Sequence, residues 1–251
     1  MIIPEFSDLS LIRRGGEHMR NGGGATTLEP VQHIDEWEEK ALALKRIFTS
    51  FLGEKPALNF QLDISVNWEK DFPAYTLRHL SYNVDFDERI NAYMLIPKNI
   101  PLPAPAMLCL HPTTPLGKEQ SIGNDPSEKG QDRAYARELA EEGYISFAYD
   151  LLSANERCYP GLPAFETAPF YEKYPHWSVR GKDLHDVDMA LEVMQNFSEI
   201  NPNRIGSIGH SQGGGITMHA MAMNSKIKVG VSSCGGAPMR ISKNPYNMAP
   251  E

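Results

Sequence analysis

The chain has little that would tie it to a membrane, a nucleic acid or a metal. Its 251 residues include only three cysteines, Cys109, Cys158 and Cys234. An odd, sparse set with no metal-binding spacing argues against a disulfide framework and points to a reducing compartment. No segment approaches the ~18 apolar residues of a membrane span. Met1–Phe6 lacks a basic stretch followed by an apolar run, so no signal peptide is expected and the expected location is cytoplasmic. Positive charge is also short: 24 Lys and Arg stand against 32 Asp and Glu, a formal net charge of −8. Nucleic acid and anionic lipid surfaces repel such a chain. No metal or organic cofactor is implied, because no His, Cys and Asp cluster has ligand spacing.

What is present suffices for a sizeable core. Apolar residues make up 41% and charged residues 22%, which fits one large α/β domain, alone or with an appendage. The first ~35 residues read as irregular, with Arg13-Arg14-Gly15-Gly16 and Gly22-Gly23-Gly24 marking turns rather than a phosphate loop, since no Gly-Lys-Ser/Thr follows. Asp35 and Glu38 then stand as N-cap and N3 of a capping box. They open a helix carrying Trp37, Ala41, Leu44, Ile47 and Phe48 on one stripe and ending near Gly53.

From Tyr75 onward strands and helices alternate. Tyr75–Val84 and Arg89–Ile96 read as strands joined by the acidic turn Asp85–Glu88, and Ala104–Leu110 as a strand buried on both faces. A helix over Asp132–Glu142, a strand over Tyr144–Tyr149, a helix over Asp183–Phe197 and a last strand over Ile227–Ser232 follow the same rhythm. This alternation predicts an α/β fold, a mostly parallel sheet with helices on both faces. The expected division is 1–74, an irregular segment plus capped helix, and 75–251, the α/β core.

Between the last two of these elements lies the most informative feature, Gly209-His210-Ser211-Gln212-Gly213. The apolar strand Arg204–Ile208 precedes it and a glycine-led helix over Gly213–Met223 follows. Serine at a strand-to-helix junction between glycines sits on a sharp turn with its hydroxyl exposed, which points to acyl transfer at Ser211.

With strand, elbow and helix in this order, the chain resembles the α/β-hydrolase superfamily, and within it the dienelactone-hydrolase and acetyl-xylan-esterase-like branch. Leu110-His111-Pro112, Asp150 and Asn201–Gly206 add to the likeness. The resemblance implies a hydrolase that cleaves a carboxylic ester through an acyl-enzyme on Ser211. The expected oxyanion donors are the backbone N–H groups of Gln212, which follows the nucleophile, and of Thr113, since Pro112 has none. The usual His-Gly start of that loop is His-Pro here. His111 is expected in a structural or substrate-facing role, and the long aromatic connection Leu151–Arg180 is expected to cap the site through Tyr159, Phe165 and Trp177.

The remaining half of a triad is not found in its usual order of Ser, then Asp or Glu, then His. After Gln212 the chain holds only Glu251 and His219, and His219 lies about 12 Å along the following helix. The expectation is therefore a hydrolase truncated at its C-terminus, with the last strands and the triad acid and base absent. A rewired site using Asp150, Asp183, His176 or His185 is the rival. The expected partner is a small ester, of an acylated sugar or of another alcohol. The alternative functions are a serine peptidase of the prolyl-oligopeptidase kind and a non-catalytic binding protein. Oligomeric state stays open.

Overall fold

The computed structural model describes residues 32–236. The glycine clusters at 13–16 and 22–24 and the final segment with Glu251 lie outside the described residues. Contacts divide the chain into two compact units, Met1–Phe48 with Ala237–Glu251, and Thr49–Gly236. Helix α1 (Trp37–Leu52) starts in the first. A 3-10 turn over Ile34–Glu36 precedes it, so Asp35 lies inside that turn rather than at an N-cap. The Glu36 carboxylate accepts from the Gln32 N–H at 3.0 Å, one residue before the His33 cap, whose side chain makes no capping bond. No residue of α1 is buried.

The second unit is built on a seven-stranded sheet in the order β1-β2-β3-β5-β4-β6-β7. The strands are β1 (Ile64–Asp71), β2 (Tyr75–Asn83), β3 (Arg89–Pro97), β4 (Ala104–Leu110), β5 (Ile145–Tyr149), β6 (Ile200–His210) and β7 (Ile227–Ser233). The sheet is mixed: β1, β2, β3 and β5 pair antiparallel in turn, whereas β5, β4, β6 and β7 pair parallel. It also begins before Tyr75, the expected start of the core, because β1 adds an edge strand. The register of β1 slips between Val66 and Trp68. That bulge breaks the period-two pattern by which such a strand would be recognised.

Six helices follow: α2 (Lys118–Ser121), α3 (Glu128–Gln131), α4 (Tyr135–Glu141), α5 (Ala168–Lys173), α6 (Val179–Gln195) and α7 (Gln212–Met223). Met107 and Cys109 of β4 share a buried cluster with Leu77, Leu95, Ala136 and Ala140, which sets α4 on that face. Leu108 and Leu110 point to the other face and are fully buried there. Ser207 stands opposite Leu108 in register and bonds Thr217 at 3.1 Å, placing α7 on this second face. Helix α6 starts before Asp183 because Ser178 caps it, its hydroxyl accepting from the Gly181 N–H at 3.0 Å. The apolar runs of β4 and β5 thus reflect burial on both sides, as parallel strands under helices require.

Candidate active site

Ser211 stands between the carboxyl end of β6 and the first residue of α7 with φ 52° and ψ −113°. A non-glycine residue held there carries on the order of 1–3 kcal/mol of strain and persists only where its surroundings fix it. Here its N–H donates to the Ser233 carbonyl at 2.7 Å and its carbonyl accepts from Gly215 at 3.0 Å. The flanking glycines explain how the turn closes. A Cβ on Gly209 would run into Gly213, and one on Gly213 would run into the Leu110 carbonyl of β4. Ser211 is exposed at the carboxyl edge of the parallel strands, where open α/β sheets bind their ligands.

Gln212 takes the first helical position, and the first N–H groups of a helix have no intrahelical acceptor. The Thr113 hydroxyl donates to the Gln212 side-chain oxygen at 3.1 Å. This contact brings the loop after β4 to the head of α7, so the two residues expected to supply oxyanion donors stand side by side.

His111 anchors the same loop. Its ring is fully buried, Nε2 accepts from the Leu151 N–H at 2.8 Å, and Nδ1 faces the Pro112 carbonyl at 2.7 Å. With Nε2 accepting, the proton sits on Nδ1 and is donated to Pro112. Burial holds the pKa below the ordinary histidine value, consistent with a neutral ring. The substrate-facing role expected for His111 is therefore corrected, because no part of the ring is accessible. Its two bonds instead hold a loop that proline has stripped of one donor.

The aromatic connection also differs from expectation. Trp177 is 3% exposed and packs with Leu152 and Phe170. Its ring lies 5.7 Å from Tyr174 and 5.8 Å from His185. It is a core residue of the connection, not a substrate contact. Tyr159 is half-buried against the same cluster, and Phe165 is half-buried at φ 68° with its N–H on the Ser153 carbonyl at 2.6 Å. Phe170, Tyr171, Tyr174 and Trp177 pack on one another.

Charged groups around this connection form a network of which only Asp150 stood out in the sequence. Asp150 accepts the Lys118 backbone N–H at 2.7 Å and its ammonium at 2.8 Å, and Glu156 takes the same ammonium at 2.8 Å. Arg157 pairs with Glu88 and with Asp186, and Lys182 pairs with the same two carboxylates at 2.8 and 2.6 Å. The two cations hold Glu88 down to about 2 against the upward pull of burial. These residues come from α2, the turn after β2, the connection after β5 and α6, and apart from the i,i+4 pair Lys182 and Asp186 only folding makes them neighbours.

The upstream residues of a rewired triad are occupied elsewhere. His185 is bonded at Nδ1 by Lys55 at 2.9 Å and at Nε2 to the Val84 carbonyl at 2.8 Å. Asp150 is committed to Lys118, and Asp183 is buried, which raises its pKa to about 6, beside Arg180 at 3.4 Å. His176 is held through its backbone, its carbonyl accepting from the Glu54 N–H at 2.7 Å, and its ring has no hydrogen bond to Ser211 among the described residues. His210, next to the nucleophile, turns Nδ1 to the Ser233 hydroxyl at 3.0 Å. His219 is lowered to about 4, mainly by burial and then by the Arg180 charge. None of these histidines has a hydrogen bond to Ser211 among the described residues.

Among the described residues no group of three or more His, Cys, Asp and Glu could hold a metal, and no helix is long and apolar enough to cross a membrane.

Comparison with known proteins places this geometry in a wider group. The acetyl xylan esterase (AXE1) family matches residues 182–234, which span α6, β6, the elbow and β7. A putative hydrolase of Bacillus subtilis is 31% identical over 152 residues, covering 59% of this chain and 48% of its own. An uncharacterized protein of Pseudomonas aeruginosa is 26% identical over 197 residues, 75% of this chain and 46% of its own. The chain thus spans about half the length of the curated relatives it matches. Among solved structures, a putative acetyl xylan esterase from Bacteroides fragilis superposes with a TM-score of 0.66 at 21% identity, over 90% of this chain and 60% of that one. A glucuronoyl esterase from Solibacter usitatus gives 0.60 at 17%, over 83% and 61%. These structural likenesses fix the fold.

Proposed function

We propose that this chain, an α/β-hydrolase of the acetyl-xylan-esterase and dienelactone-hydrolase-like branch, carries the nucleophile and oxyanion half of a serine carboxylic-ester hydrolase. The observation that carries the reading is the strained, exposed Ser211 at the head of α7, with Thr113 bonded to Gln212 beside it. Ser211 Oγ attacks the ester carbonyl carbon while its proton passes to a base. The carbonyl oxygen becomes an oxyanion that accepts from the Gln212 and Thr113 N–H groups. Collapse expels the alcohol, which takes the proton, and leaves an acyl group on Ser211. Water then repeats the sequence to release the acid and restore the hydroxyl.

In this reading the base and its carboxylate partner come from outside residues 32–236, because the described histidines are committed to other partners or lack a bond to Ser211. The substrate is a small ester, and an acylated sugar is the preferred alcohol class given the esterases that share the fold. The test uses the full-length protein, with aryl acetates and acetylated sugars as substrates. Ser211→Ala should abolish turnover and labelling by a fluorophosphonate while the melting temperature stays unchanged. Retained turnover in that variant refutes the assignment. A folded wild-type protein whose serine is never labelled would favour the binding-protein alternative.

A further inference from the structure

We propose that a cavity at the opposite edge of the sheet from Ser211 binds a neutral sugar or a related polyol. Its volume is about 370 Å³, within the usual range for small-molecule sites. Phe72, Tyr75, Ile122, Asn124, Arg137 and Glu141 line it. Strand β2 runs the same way as β5, since each is antiparallel to β3. Tyr75 opens β2 and Glu141 closes α4 just ahead of β5, so both lie at the amino edge. Ser211 follows the carboxyl edge, and the cavity is therefore separate from the nucleophile.

The chemistry of the lining selects the ligand class. Phe72 and Tyr75 stack with ring centroids 5.0 Å apart and planes inclined by 22°, an apolar wall for the C–H side of a sugar ring, with the Lys70 ammonium 5.1 Å from the Phe72 centroid. Arg137 spends both terminal nitrogens on one acceptor, Gln131 Oε1, each at 3.1 Å. A guanidinium has five N–H donors, so others remain for a ligand. Glu141 stands 4.0 Å from Arg137 Nε and accepts no hydrogen bond among the described residues. The Tyr75 hydroxyl likewise has no hydrogen-bond partner among them, and the Glu141 charge joins burial in raising its pKa.

A cation and an anion side by side, both with bonding capacity to spare, suit a group that donates and accepts at neighbouring atoms. Vicinal hydroxyls do this. A carboxylate ligand would face Glu141, and an ammonium would face Arg137. Gly123, at φ 89°, preserves the arrangement, because any Cβ there would meet the Arg137 guanidinium.

Isothermal titration of the full chain with cellotriose or xylotriose tests the site, with benzoate as the anionic control. The expected result is saturable, millimolar binding of a trisaccharide that Ser211→Ala leaves unchanged. Arg137→Met and Glu141→Gln should each weaken it about tenfold, and Tyr75→Phe severalfold, as loss of bonds to charged and neutral groups predicts. Tyr75→Phe removes a single oxygen and keeps the test valid if a charge variant misfolds. The proposal is overturned if no trisaccharide binds, if the variants bind as the wild type does, if Ser211→Ala abolishes binding, or if benzoate binds as tightly.

Discussion

Two glycines in the first turn of α7 receive the same methyl group with opposite consequences. Helical Gly→Ala gains roughly 0.5–1 kcal/mol through lost freedom of the unfolded chain. At Gly215 the added Cβ would meet the Gly235 carbonyl at 3.3 Å, in a segment with no strand partner to hold it, and a shift of a few tenths of an ångström relieves the contact. At Gly213 it would meet the carbonyl carbon and oxygen of Leu110 and the carbonyl of His111. Leu110 cannot yield in the same way: it pairs with Tyr149 on one side and Gly209 on the other, and its carbonyl also accepts the Tyr135 hydroxyl. Overpacking against fixed backbone costs about 1–3 kcal/mol or more, so Gly213→Ala should lose about 2 kcal/mol net while Gly215→Ala stays within about 0.5 kcal/mol of the parent. In urea, at a slope of about 2 kcal/mol per molar, the Gly213→Ala midpoint falls by about 1 M and the Gly215→Ala midpoint hardly moves. Fluorophosphonate labelling of Ser211 should fall with the former alone. Equal midpoints for the two variants would refute the claim that close approach to β4 dictates the elbow glycine.

The oxyanion assignment predicts that Thr113→Pro, which removes the N–H, lowers kcat of the full-length enzyme about 10²–10³-fold, whereas Thr113→Val loses only the Gln212 bond and costs severalfold. Steady-state rates on an aryl acetate decide, and equal losses would remove Thr113 from the donor pair. Arg157→Ala leaves Lys182 as the one cation shared by Glu88 and Asp186 in a buried setting and should cost about 3 kcal/mol by urea titration, the lower end for breaking a buried pair. Stability should also fall as the solution is acidified from about pH 7.5 to 5.5. His111, His185 and His219 all have folded pKa values below the ordinary ~6.5, so the unfolded chain binds more protons in that window and their contribution is lost as pH drops. Asp183, raised to about 6, acts in the opposite direction as a single group below that value. A urea midpoint that rises on acidification would contradict the neutral burial of these rings.

Legibility from sequence follows the range of the forces involved. The elbow was readable because its requirement is local: two glycines flanking a serine at one turn, with apolar residues on either side. Strands β2 to β6 were readable for the same reason, since burial writes itself into continuous or alternating apolar residues, and β7, though mostly exposed, keeps the alternation Ile227, Val229, Val231. Strand β1 was not, because its burial is slight and the bulge near Asn67 shifts the pattern. The misplaced cap at Asp35 shows a local signal overruled by a 3-10 turn that starts slightly sooner. Trp177 was given to the substrate, and His111 left between a structural and a substrate-facing role, because residue type alone cannot tell a ring facing a ligand from one facing its neighbours. The Arg157 cluster joins segments about 70 and 30 residues apart, a distance at which a single sequence carries no pairing information.

The connection after β5 is nailed down at both ends. Asp150 and Arg157 fix its entry through buried ion pairs, with Glu156 pairing Lys118 at the surface, and Trp177 and Ser178 fix its exit against the end of α1. Between them Pro160–Pro163 is exposed, and Gly161 has nothing within 4 Å of where a side chain would go. Insertion, deletion or recoding of that short arc leaves the geometry of Ser211 untouched, because none of the contacts that position the serine passes through it. The fold therefore separates the part of the molecule that must stay constant from a part that selection or a protein engineer can vary at little cost in stability.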